Sequence, residues 1–199
     1  MNFLAHTALS GKDYNGILVG NFMADSIRGN YTGKYASQPE IIRGIQLHRK
    51  IDKFTDQHMI VKKSIKRLRH NYGRYASVIV DIFYDHLLAN NWSTYYDISL
   101  EDHSEKVYKT LTHYKGKLPE NIQNFLPGMI HNNWLVNYGT MQGIERSLES
   151  VSRRAKFSNK MDKSVLELKK DYNQFNKEFN QFYPYVLEFV RRELAGELD

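Results

Sequence analysis

Apolar residues recur along this chain at intervals of three and four, and long alternating β-branched runs are missing. The pattern therefore predicts helices and no sheet. Short helices are expected over residues 3–10 and 16–27, followed by a Gly/Asn/Thr-rich loop over 29–37. Pro39 then opens a long helix over 40–55 from its first turn. Further helices are expected over 58–70, 75–89, 100–114, 121–126, 133–138 and 141–155. The clearest periodicity is C-terminal: Val165, Leu168, Tyr172, Phe175, Phe179, Phe182, Val186 and Phe189 follow a strict three-four spacing. It predicts one long helix laid across its own domain and kinked at Pro184. The expected fold is an all-α, single-domain helical bundle over residues 1–199.

Composition narrows the chemistry. With 199 residues and 41% hydrophobic content, the chain can bury one sizeable core. There is no cysteine, which removes disulfides, thiolate metal sites and a Cys nucleophile. The opening residues have no basic stretch, and His6 interrupts their apolar run, so neither a signal peptide nor a membrane span is expected. A cytoplasmic location follows as the expectation. The net charge of +6 is unevenly placed. Lys62, Lys63, Lys66, Arg67, Arg69 and Arg74 lie between Met59 and Val80 with no acid among them, which points to an acidic partner.

Two helices carry polar residues where apolar ones belong. Ile41, Ile45, His48 and Asp52 share one face of the first, so His48 and Asp52 point inward or into a cleft. The second, around Asp81, Asp85 and His86, is apolar nearly all round. Two carboxylates one turn apart on a buried helix call for a cation, and a metal would supply one. Asp25 and His6 are further polar intrusions in apolar settings. Imidazole plus carboxylate, without thiolate, suits Mn²⁺, Fe²⁺, Co²⁺ or Zn²⁺. His6, Asp25, His48, Asp52, Asp81, Asp85 and His86 are the candidate ligands, more than one octahedral shell holds. Without a protein nucleophile, the expected chemistry is hydrolysis by water activated at the metal. Asp25 or Asp52 is the expected base, and Arg49, Arg28 and Arg153 are the expected phosphate-binding groups.

These residues, in order, resemble the acyl carrier protein phosphodiesterases. The resemblance rests on Met1-Asn2-Phe3-Leu4-Ala5-His6, Gly20-Asn21, Ala24-Asp25, Arg28-Gly29, Gly44-Ile45, His48-Arg49, Ile51-Asp52 and Thr55-Asp56. It continues through Asp81, Asp85-His86, Asn91-Trp92, Trp134-Leu135 and Ser152-Arg153-Arg154. It implies a helical fold distantly similar to HD-type phosphohydrolases, a preference for Mn²⁺, and removal of 4′-phosphopantetheine from holo acyl carrier protein. The His-Asp doublet of HD proteins is reversed here to Asp85-His86, so ligands do not transfer from them position by position. The acidic carrier protein would dock on Lys63, Lys66 and Arg67, with neither nucleic acid nor membrane as partner. Two rival readings stand beside this one: an HD-like hydrolase of a nucleotide or other small phosphodiester, and a non-catalytic basic module that binds RNA or an acidic protein.

Overall fold

A computed structural model describes residues 1–11 and 15–196. Among them there is no strand, and thirteen α-helices follow one another. They are α1 (Phe3–Ala8), α2 (Asn15–Met23), α3 (Tyr31–Lys34), α4 (Pro39–Gln57), α5 (Met59–Tyr72), α6 (Ala76–Asn90) and α7 (Trp92–Tyr95). After these come α8 (Leu100–His113), α9 (Glu120–His131), α10 (Trp134–Asn137), α11 (Met141–Arg154), α12 (Val165–Lys170) and α13 (Tyr172–Ala195). Helix starts coincide with caps written in the sequence. Pro39 occupies the first turn of α4, Ser99 accepts from the Asp102 amide at α8, and Thr140 accepts from the Gly143 amide at α11.

One continuous apolar cluster runs through the molecule. Helix α6 lies at its centre, buried nearly all round and packed against α1, α5, α11 and α13. The C-terminal stripe departs from the expected single helix. The backbone turns at Asp171, so that α12 packs on α11 while α13 packs on α4, α5 and α6. Helix α13 continues through Pro184, and α9 continues through Pro127 to His131 rather than ending at Leu126. Both prolines face solvent, where water can satisfy the carbonyl each leaves without a donor.

The crossing of α2 and α4 is the most extensive helix contact among the described residues. A Cβ on Gly44 would lie 2.2 Å from the Ile17 carbonyl oxygen, and one on Gly20 would lie 2.1 Å from that of Ile41. Two glycines facing each other therefore let the helix backbones touch. Among the described residues, no helix is long and apolar enough to cross a membrane.

Candidate metal centre

The backbone contact at Gly20 and Gly44 brings Asn21 against His48, one turn beyond Gly44. The Asn21 carbonyl oxygen accepts from His48 Nδ1 at 2.8 Å. The Asn21 side chain holds a second imidazole: its Oδ1 lies 2.8 Å from His6 Nδ1, while its amide donates to the His6 carbonyl oxygen and to Ser10 Oγ. An amide oxygen only accepts, so both histidines are protonated at Nδ1 and present Nε2 outward. The two rings stack at 3.8 Å between centroids.

Both Nε2 atoms meet Asp52, which lies on α4 one turn after His48. Asp52 Oδ1 is 3.1 Å from His6 Nε2, and its Oδ2 is 3.1 Å from His48 Nε2. His6, His48 and Asp52 offer ligand atoms all within 4.8 Å of one another. Asp25, on the turn after α2, sets Oδ1 3.1 Å from His48 Nε2 and is otherwise exposed. Stacked imidazoles do not both take up the second proton that would make each a cation. Burial and the neighbouring His48 charge lower the pKa of His6, whereas Asp25 and Asp52 raise His48 to about 9 against the opposing effect of burial. Asp52, despite burial, is held far below the usual carboxylate range by the hydrogen bond from His48 and by the N-terminal charge, and the hydrogen bond from His48 lowers Asp25 likewise. Two carboxylates thus converge on a single positive charge. Donor types, the fixed Nδ1–H bonds and this charge deficit all fit a divalent cation.

The structure does not bring the α6 acids to this cluster. Asp85 is fully buried and accepts from the amides of Asn2 (3.1 Å), Leu4 (2.8 Å) and Ala5 (3.3 Å), so it caps the start of α1. Burial raises its pKa to about 7 against the pull of the N-terminal charge and these amides. The expected cation beside Asp81 is the Met1 ammonium, 2.8 Å from Asp81 Oδ1. His86 Nδ1 lies 2.7 Å from the Tyr138 carbonyl oxygen, and its ring packs on Tyr172. The expectation of a shell spanning α4 and α6 is therefore corrected: the cluster combines α1, α4 and the turn after α2.

Among the expected substrate-binding residues, Arg67 is also reassigned. It forms a two-pronged ion pair with Glu178 at 2.8 and 2.7 Å and lies over the Phe175 ring, so it ties α5 to α13. Lys63 and Lys66 stay exposed on α5. Arg49 is exposed and stacks over Tyr31, with 4.5 Å from guanidinium to ring centroid. Arg28 is exposed on the loop after Asp25. Arg153 lines a cavity of about 800 Å³ that reaches Asp25 and Asp81.

Sequence reasoning gave no role to the cavity's other features: Arg146 and Arg154 beside Arg153, and a wall made by Phe3, Phe22, Phe125 and Trp134. It also gave Asn21 no role, although an asparagine inside the apolar stretch Ile17-Leu18-Val19-Gly20-Asn21-Phe22 is itself a signal.

Residues 1–186 match a family model described as acyl carrier protein phosphodiesterase. The acyl carrier protein phosphodiesterase of Photorhabdus laumondii is 32% identical over 192 residues, which cover 94% of both chains. That of Yersinia enterocolitica is 31% identical, covering 94% of this chain and 96% of its own. That of Pectobacterium atrosepticum is 30% identical, covering 97% and 99%. No solved structure matches the chain significantly.

Proposed function

We propose a chemistry for this cluster from one premise: the chain belongs to the acyl carrier protein phosphodiesterase family, whose model spans residues 1–186. The protein hydrolyses the phosphodiester that joins 4′-phosphopantetheine to the serine of holo acyl carrier protein, releasing the apo carrier. The observation that carries the metal-dependent form of this reading is the pair of Nε2 atoms aimed at Asp52 beside an open cavity. His6, His48 and Asp52 would hold a divalent ion with Asp25 alongside, and Mn²⁺ is the ion we assign. When bound, such an ion polarises a phosphoryl oxygen and lowers the pKa of water.

The chain's own groups do the rest. Asn21 keeps both imidazoles in one tautomer and orientation. Asp52 is engaged by two histidines, whereas Asp25 is exposed and bonded to His48 alone, so Asp25 is the carboxylate that takes the proton from the attacking water. Water oxygen bonds to phosphorus as the bond from phosphorus to the serine oxygen breaks, and the departing serine oxygen takes up a proton from solvent while Asp25 keeps the one it removed. Arg49 and Arg28 carry the guanidiniums that hold phosphate oxygens, and Arg153 lines the adjoining cavity. The exposed Lys62, Lys63, Lys66 and Arg69 of α5 attract the acidic carrier.

The test is the mass of holo carrier protein incubated with the protein and Mn²⁺. It should fall by the 4′-phosphopantetheinyl group, EDTA should prevent the loss, and ¹⁸O from labelled water should appear on the released phosphate. An unchanged carrier mass with metal-saturated protein overturns the reading.

A further inference from the structure

We propose that the cavity beside the cluster receives the pantetheine portion of the carrier protein's arm, laid along a strip formed by the rings of Phe3, Phe125 and Trp134, which the buried Phe22 backs from the core. The proposal rests on the function just given. Phe3 and Phe22 sit 5.0 Å apart between ring centroids, Phe125 lies 5.9 Å from Phe3, and Trp134 stacks on Phe125 at 5.8 Å. All four line the same cavity. The strip begins at the cluster: Phe3 precedes His6 by one helical turn, and Phe22 stands three residues before Asp25. It ends at Trp134, which keeps 36% of its surface exposed.

Pantetheine is elongated and mixed in character, with a branched apolar segment, two secondary amides and a thiol. Planar amides and methyl groups both pack on aromatic faces. Its amide N–H groups also need acceptors. Asn121 and Asn137 line the cavity, and each donates an amide N–H to the protein, on Ser26 Oγ at 2.8 Å and the Asn132 carbonyl oxygen at 2.6 Å. With the nitrogen of each turned to these partners, the side-chain carbonyl oxygens point elsewhere as acceptors. A bare phosphate ester would use neither the rings nor these carbonyls, whereas the arm uses both.

The experiment titrates pantetheine, which lacks the phosphate, into EDTA-treated protein and follows tryptophan emission. Trp92 is buried with its indole N–H on the Ile98 carbonyl oxygen, so Trp134 reports, and Trp134→Phe should abolish the signal. A saturable change is expected. Phe125→Leu should weaken pantetheine binding about two- to tenfold, the worth of one ring contact, and raise KM for holo carrier protein by a similar factor. Asn121→Ala, at an exposed position, should do the same without disturbing the fold. No saturable change, or unaltered pantetheine binding and KM in both variants, overturns the proposal. A protein that strips the carrier yet ignores pantetheine and both substitutions loses the arm site and keeps its hydrolysis. One that binds pantetheine but leaves the carrier intact loses the proposed function instead. Coenzyme A bears the same arm, and if it is cleaved in preference to holo carrier protein, the carrier is not the source of the arm.

Discussion

Asn21 offers no atom to a metal, yet it decides how two imidazoles present theirs. Its side-chain oxygen fixes His6 and its main-chain oxygen fixes His48. Asn21→Ala removes the first anchor and keeps the second. Mn²⁺ affinity, measured by calorimetric titration, should drop about ten- to hundredfold, as for other residues that orient metal-binding histidines. His103 is a different kind of buried imidazole, close to Thr7 Oγ1 and tilted against Trp92. Burial, aided by the Lys106 charge, lowers its pKa to about 4. The unfolded chain therefore binds this proton more tightly than the folded one. The stabilisation is complete above the ordinary histidine value near 6.5 and disappears as pH falls toward 4. Linkage puts the contribution at about 3 kcal/mol. Melting curves between pH 7 and pH 4.5 should show the decline, and His103→Leu should flatten it.

At the scale of elements, the site depends on how closely α2 and α4 approach. A methyl group on Gly44 would meet the Ile17 carbonyl oxygen and the Gly20 Cα, which are backbone atoms and cannot swing aside. Gly44→Ala should cost about 1–3 kcal/mol in chemical denaturation, the usual scale of overpacking. Mn²⁺ affinity should fall with it, because the separation that relieves the clash also pulls Asn21 from His48. Unchanged metal affinity in a destabilised variant would separate the crossing from the site. Helix α1 is positioned by other means. It has only six residues, too few to be stable alone, and the Asp85 carboxylate of α6 satisfies amides at its start. Asp85 thereby serves His6 from a distance, as the anchor of the helix that carries it.

Across the whole molecule, charge separates docking from catalysis. The basic segment divides into Arg67, which neutralises the buried Glu178, and an exposed set including Lys62, Lys63 and Lys66. Replacing those three lysines by glutamate should raise KM for holo carrier protein several-fold and leave a small phosphodiester analogue unaffected. Added salt should mimic the change for the protein substrate only, since exposed charges are screened beyond about 8 Å at physiological ionic strength. Equal loss on the analogue would place α5 within the site. Arg67 stays out of this test, since removing it strands a buried carboxylate and damages the fold. The sequence by itself determined the helical class, most helix positions and the pairing of His48 with Asp52. All of these follow from bonds and faces repeating every three or four residues within one segment. It also marked Asp81 and Asp85 as charges needing compensation, but not what compensates them. Their partners, the Met1 ammonium and the first amides of α1, lie 80 or more positions away. The division of α12 from α13, the role of Arg67 and the meeting of His6 with Asp52 were likewise decided by tertiary packing. Local periodicity shows which residues must be buried, whereas the choice of partner belongs to whichever distant element packs against them.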